Sequence, residues 1–336
     1  MNLSARGLHS PGILWLAALI AVLYPAVDLA AQGKTRTWPR EFYVEKVPIS
    51  LVSANAAKRE WVYRTEHYEV KSQAELTPKQ LGEVARVLES VVGVLGAVPY
   101  PLISIAKSTR RHEVRLYGSY RDFRSAGFSA NAAGVYDPRT GIVSIPIPAL
   151  LEKQDPGSRL PPLQRYKVLV HELTHQAMHG NIPKLPPWFI EGAAEYFSAM
   201  HSVPVGRYEF HNQGIALKNH LIKNLGLRGS SGRARLPSPD LVFNASPRAW
   251  FEDNARGGAD GYHKYATAAL LMHYFFVSGA SAPAMDAYLN GIKDVGRVRD
   301  VNRLAEHMLL RDTTIKEIEL KMVKYWKTQG LHLQFD

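Results

Sequence analysis

His171-Glu172-Leu173-Thr174-His175 is an H-E-x-x-H run, and the rest of the chain is best read outward from it. On a helix, residues four apart lie one turn apart on the same face, so the two imidazoles can converge on one metal ion. Glu172 lies one residue round the helix, close enough to reach a water at that ion without being a ligand. Two neutral nitrogens and a nearby carboxylate are what zinc-assisted hydrolysis requires. The setting is helical. Tyr166-Lys167-Val168-Leu169-Val170 is an apolar lead-in, Gln176-Ala177-Met178-His179 continues the pattern, and Gly180 stands where a C-cap glycine belongs. The alternative is a surface helix that carries two histidines by accident. At ordinary residue frequencies such a motif arises in on the order of one chain in a hundred.

A catalytic zinc takes three protein ligands and keeps its fourth position open. His179 extends the histidine series, but on a straight helix it stands about 6 Å beyond His175, too far for all three to close on one ion. The metzincin pattern fails too, because Met178 and Asn181 occupy its glycine and third-histidine positions. The remaining source is Pro187-Trp188-Phe189-Ile190-Glu191-Gly192-Ala193-Ala194-Glu195-Tyr196-Phe197, which reads as a second helix entered through Pro186-Pro187. Glu191 and Glu195 share a mostly apolar face, with Trp188 and Ala194 nearby. Carboxylates on such a face need a cation or strong donors. A metal and a metal-bound histidine supply both.

At these residues the chain resembles the gluzincin zinc metallopeptidases, the broad group of thermolysin and the aminopeptidase-N-like enzymes. The resemblance rests on H-E-x-x-H followed by W-x-x-E-G-x-A-E-Y. It implies that Glu191 is the third zinc ligand and that Glu195 hydrogen-bonds the first histidine, His171, fixing its orientation. Glu66-His67-Tyr68-Glu69-Val70, the helix around residues 81–95, Gly134-Val135-Tyr136-Asp137-Pro138-Arg139 and Tyr265-Ala266-Thr267-Ala268-Ala269-Leu270 extend it. They resemble an uncharacterised bacterial family of exported gluzincins, and the likeness covers most of the chain from about residue 60. One departure stands out. The G-x-M-E-N stretch with which aminopeptidase-N-type enzymes anchor a free amine is absent, which favours an endopeptidase or a narrow processing peptidase.

The chain has 336 residues, a formal net charge of +11 and no cysteine. Absence of cysteine removes disulfides, a thiol nucleophile and a lipid-anchored cysteine, so the core alone must hold the fold. At the N-terminus, Arg6 and His9 precede an apolar run from Ile13 to Val27, followed by Ala30-Ala31. This is a secretory signal pattern over residues 1–31, with export to the periplasm or the outside as the expectation. The run is shorter than the roughly 20 residues that span a bilayer, and an uncleaved anchor is the alternative. A basic exported protein is drawn to anionic envelope surfaces. Nucleic acid is not an expected partner: no Lys/Arg run with interleaved aromatics and no helix-turn-helix or zinc-finger spacing is present. Lys107, Arg110, Arg111 and the stretch Arg228–Arg235 read as solvated surface.

Residues 32–59 are polar and read as a linker. Residues 60–336 read as one α+β metallopeptidase domain, gluzincin-like in architecture. A sheet-and-helix lobe of about 60–182 ends in the zinc helix, and a mainly helical lobe of about 183–336 faces it across a cleft. Glu60–Lys71 alternates as a strand. Thr77 is the expected N-cap of a helix whose core stripe is Leu81, Val84, Val87, Leu88, Val91 and Leu95. Val114–Tyr117 reads as a strand and Tyr120–Ser125 as a short helix. Val135-Tyr136 and Ile142–Ile147 flank a turn signal, Asp137-Pro138-Arg139-Thr140-Gly141. By resemblance, Ile142–Ile147 is the edge strand that holds an extended peptide beside the metal; a buried core strand is the other reading. Gly226–Pro239 reads as a mobile loop, and Tyr265–Val277, Ala282–Ile292 and Val301–Trp326 as helices.

The implied chemistry is peptide hydrolysis on one zinc per chain. Glu172 is the general base that takes the attacking water's proton and passes it to the leaving amine. Tyr265 is the candidate donor for the oxyanion, with Tyr262 and His263 behind it; a core tyrosine heading an apolar helix is the alternative. Two other classes of function stand beside this one. One is a catalytically inactive metallopeptidase-like fold. The other is a basic exported protein that binds wall polymers or a protein partner.

Overall fold

The computed structural model describes residues 37–100, 102, 110–130, 132–151, 166–227, 232–250, 261–278, 281–294 and 300–336. Residues 1–31, read as an export signal, and Lys107 and Arg228 fall outside these. Residues Arg36–Asp336 form one compact unit of mixed helix and strand. Its first half runs β1 (Glu41–Tyr43), β2 (Ser50–Asn55), β3 (Glu60–Arg64), β4 (Tyr68–Ser72), α1 (Pro78–Ala97), β5 (His112–Tyr117), α2 (Tyr120–Ser125), β6 (Val135–Asp137), β7 (Ile142–Pro146), α3 (Ile147–Leu151) and α4 (Lys167–Ala177). The second half holds α5 (Pro187–Met200), β8 (His201–Ser202), β9 (Arg207–Glu209), α6 (Gln213–Asn224), β10 (Gly232–Leu236), α7 (Pro239–Phe243), α8 (Gly261–Val277), α9 (Ala282–Asp294), α10 (Val301–Leu309), α11 (Ile315–Thr328) and β11 (Leu331–Phe335).

The main sheet has the order β2-β3-β4-β5-β7-β6. Its centre is parallel, β4 to β5 and β5 to β7, and its flanks are antiparallel. A parallel step needs a crossover, and α1 supplies the one between β4 and β5. Thr77 starts that helix with a reciprocal capping box to Gln80 and Pro78 in the first turn. Its stripe of Val84, Val87, Leu88, Val91 and Leu95 is fully buried, in one core with Val70, Val114, Leu116, Val143 and Ile145 of the sheet and Leu169, Val170 and Leu173 of α4.

Several boundaries differ from the sequence reading. Residues 60–71 are two antiparallel strands, because the chain reverses at Thr65–His67: Thr65 Oγ1 accepts from Tyr68 N–H, and Glu89 accepts from the backbone of His67. The segment read as a linker contains β1, which pairs with β9, and β2, which pairs with β3. All six residues of β2 are exposed, so no burial pattern marked it. The stretch read as a mobile loop contains β10, whose alternating burial matches that of its parallel partner β11. Ile142–Pro146 lies between β5 and β6 with four of its five residues buried. The edge strand is β6, so the assignment of residues 142–147 as the edge is corrected: antiparallel return after the Gly141 turn puts the earlier strand outside. The helix α4 stops at Ala177, with Met178–Asn181 in turns. Gly180 is therefore beyond the cap rather than at it. Among the described residues no single helix is long and apolar enough to cross a membrane.

Candidate metal centre

The centre is assembled where α4 crosses α5. α4 carries Leu169, Val170 and Leu173 into the core, which turns His171 and His175 toward the second half. α5 enters through Pro186 and Pro187, where a missing N–H costs nothing. Twelve of its residues are buried, and Glu191 is directed back at α4. A glycine follows Glu191 for a steric reason. A Cβ on Gly192 would lie 2.5 Å from the Ala268 carbonyl oxygen and 2.6 Å from Met272 Cγ, both on α8. Only a glycine lets α5 and α8 approach this closely.

His171 Nε2, His175 Nε2 and Glu191 Oε2 form a triangle with sides of 3.0, 3.3 and 3.3 Å. This group could hold a metal ion. Donors bonded to a tetrahedral zinc at 2.0–2.1 Å stand about 3.3 Å apart, so the spacing fits without rearrangement. The donor set fits as well. Two imidazole nitrogens face each other, and at most one can donate to the other. The three side chains are 15%, 8% and 12% exposed, so little water reaches them.

Each neighbouring carboxylate has a distinct environment. Glu195 Oε1 lies 3.0 Å from His171 Nδ1, the contact expected for a partner that orients the ligand. Its Oε2 receives His220 Nε2 at 2.6 Å and the Tyr262 hydroxyl at 2.7 Å. Burial opposes its charge, but hydrogen bonds from His171 and His220 hold its pKa well below 4.5. Glu191 is also opposed by burial, yet the adjacent His175 and His171 bring it down to about 2. Glu172 goes the other way: burial dominates and raises its pKa. Its Oε2 accepts the Tyr136 N–H of β6 at 2.7 Å. That approach depends on Gly134, where a Cβ would come within 2.9 Å of Val168 and 3.2 Å of Glu172 Cγ. Burial also works against charge on His171, but Glu191 and Glu195 together lift its pKa well above 6.5.

Tyr265 lines the same cavity as His171 and Glu172, with its ring centroid 6.4 Å from that of His171. Burial, and next the charge of Glu191, raise its pKa, so it stays a donor. Tyr262 stacks on it at 6.3 Å, but its hydroxyl is committed to Glu195. His263 is not among the residues lining the cavity. His179 is outside α4 and pairs with the Tyr136 hydroxyl, so it does not join the metal group.

Lys167, His220 and Asn224 were not anticipated. Lys167 could have been found by counting one helical turn back from His171. His220 and Asn224 sit on α6 with no motif around them, and only the fold brings them to Glu195. No protein-family model matches the chain, and no curated protein matches it.

Proposed function

We propose that the chain is a zinc-dependent peptidase, and most simply an endopeptidase, acting on peptide or protein substrates after export. The observation that supports this best is the His171/His175/Glu191 triangle with Glu172 beside it and Glu195 behind His171. A zinc ion held by those three side chains would supply Lewis-acid chemistry, acidifying a water and polarising the scissile carbonyl. Glu172 is suited to receive the attacking water's proton and return it to the leaving amine. Its raised pKa keeps it a useful acid in the second step. The Tyr136 N–H fixes one of its oxygens. Glu195 holds His171 in the tautomer whose Nε2 faces inward. Tyr265, which lines the same cavity, is our candidate donor to the oxyanion that forms when the carbonyl is attacked.

The test combines elemental analysis with peptide-library cleavage, with and without chelator. One zinc per chain and chelator-sensitive cleavage at internal bonds are expected, and His175→Ala should lose both. Metal without turnover would replace this reading with that of a binding protein. Carefully prepared protein that holds no metal would remove the metal group altogether.

A further inference from the structure

Beside the metal group lies a cavity of about 500 Å³, with α4 on one side and α6 and α8 on the other. Lys167 lines it. It stands one helical turn before His171, on the same face of α4. Its ammonium is 3.5 Å from His220 Nδ1, and His220 Nε2 is bonded to Glu195. Among the described residues the cation is therefore linked to a carboxylate through an imidazole. Among the described residues no carboxylate comes within ion-pair distance of it.

Three features make this a poor place for an unpaired cation. Lys167 opens its helix, where the dipole is positive. Burial, with Lys223 adding to it against the pull of Glu195, brings its pKa down from 10.5 to about 8. The chain's net charge of +11 adds a further unfavourable potential at any cation, against which stand Glu172 and Glu195 of the same cavity. A half-buried cation held in these surroundings is stabilised by an anion from outside. Ser198, Asn224 and Tyr262 add polar groups to the same wall.

Building on the peptidase reading, we propose that this cavity receives a carboxylate of the substrate and that Lys167 selects it. The enzyme then favours peptides with a carboxylate beside the bond that is cut, on an acidic side chain or at a free C-terminus. The net positive charge of the protein speeds encounter with such peptides. The competing role for Lys167 is a fixed support for His220, which would affect every substrate alike.

The test uses matched peptides with Glu or Gln at the residue flanking the scissile bond on either side, each as free acid and as C-terminal amide. The readout is the acidic-to-neutral ratio of kcat/KM. Wild type should show a ratio of roughly ten or more, the scale of a charge-assisted hydrogen bond. Lys167→Met should bring it near one, and Lys167→Glu should invert it. A ratio carried by the Glu/Gln pair assigns the carboxylate to a side chain; one carried by the acid/amide pair assigns it to the C-terminus. A wild-type ratio near one, or one unchanged in Lys167→Met, overturns the inference. Calorimetric titration of N-acetylglutamate and of N-acetylglutamine amide, which carries no carboxylate, reads the cavity without turnover. Tighter binding of the acid that is lost in Lys167→Met, with no peptide cut, keeps the carboxylate site and removes the peptidase reading. Peptides cut without charge preference, and no such difference in binding, remove the inference and leave that reading standing.

Discussion

Glu172, Glu191 and Glu195 are all largely enclosed and cluster around His171, yet each meets a different set of neighbours. Glu172 has one backbone donor and is pushed toward its neutral form. Glu191 meets two imidazoles and is pushed toward its anion. Glu195 meets three donors, from α4, α6 and α8. Substitutions should separate them. Glu172→Gln should keep the metal and lose turnover by about 10²–10⁴-fold, the usual value of a general base. Glu191→Ala should lose the metal itself. Elemental analysis and activity on the same preparations check both, and a metal-replete, active Glu191→Ala would move the third donor elsewhere. Glu195→Gln leaves the fold in place but replaces the anion that faces His171 Nδ1. Competitive zinc titration should show affinity or activity reduced by about 10–100-fold; wild-type values would make Glu195 a structural residue only. Glu172 was legible from the H-E-x-x-H spacing and the shared face of Glu191 and Glu195 from helical spacing, while the separate roles of those two came from the gluzincin resemblance. Lys167 obeys the same spacing, but a lone lysine carries no pattern that distinguishes a cavity wall from a solvated surface.

Between elements, the decisive contacts are close approaches rather than large side chains. Gly192 sits where α5 crosses α8, and Gly134 sits where the lead into β6 meets α4. Gly192→Ala would force its methyl into the backbone of Ala268, so α8 must move. A loss of about 1–3 kcal/mol is expected from such overpacking, together with displacement of Glu191, one residue away. Urea unfolding and zinc content measured on the same variant check this. Wild-type stability and full zinc occupancy would mean that α8 yields without cost. The glycine of the E-G pair was visible in the sequence, but its reason was not, because the obstacle lies some 76 positions further along the chain. The same limit applies to β10 and β11. Each alternates over five residues, too short a run to reveal a parallel partner at the far end of the chain. By contrast, α1 announced its cap and its stripe locally, and the structure shows the cap and buries the stripe except for half-buried Leu81 at its start.

Across the whole molecule, acid sensitivity should come from histidines remote from the metal group. Burial keeps His201 neutral down to about 3 and His273 down to about 4. His273 packs its ring on Tyr325 and Trp326, at 5.2 and 4.9 Å. The unfolded chain takes up a proton at each site below about 6.5, whereas the folded chain does not. Stability present above that pH is therefore lost as pH falls toward 4, at about 1.4 kcal/mol per pH unit for each group. His273→Phe removes one of these sites and keeps the ring contacts. Between about pH 7.5 and about pH 5 it should lose about 2 kcal/mol less than wild type in urea unfolding. Equal losses would show that His273 does not drive the transition. The N-terminal limit of the unit belongs to this scale too. Trp38, within the stretch read as a linker, donates to the Phe276 carbonyl and packs on Tyr100, Tyr196 and Phe210. It joins the sheet half to the helical half through contacts that no local pattern encodes.

Trp250 has a use of a different kind. Its indole is fully buried and meets Tyr265 edge-on at 5.7 Å, and Tyr265 forms part of the cavity wall. The fluorescence of an indole follows the polarity and rigidity of its surroundings. The chain has six tryptophans, so the part of its emission that Trp250→Phe removes reports on that wall without a label.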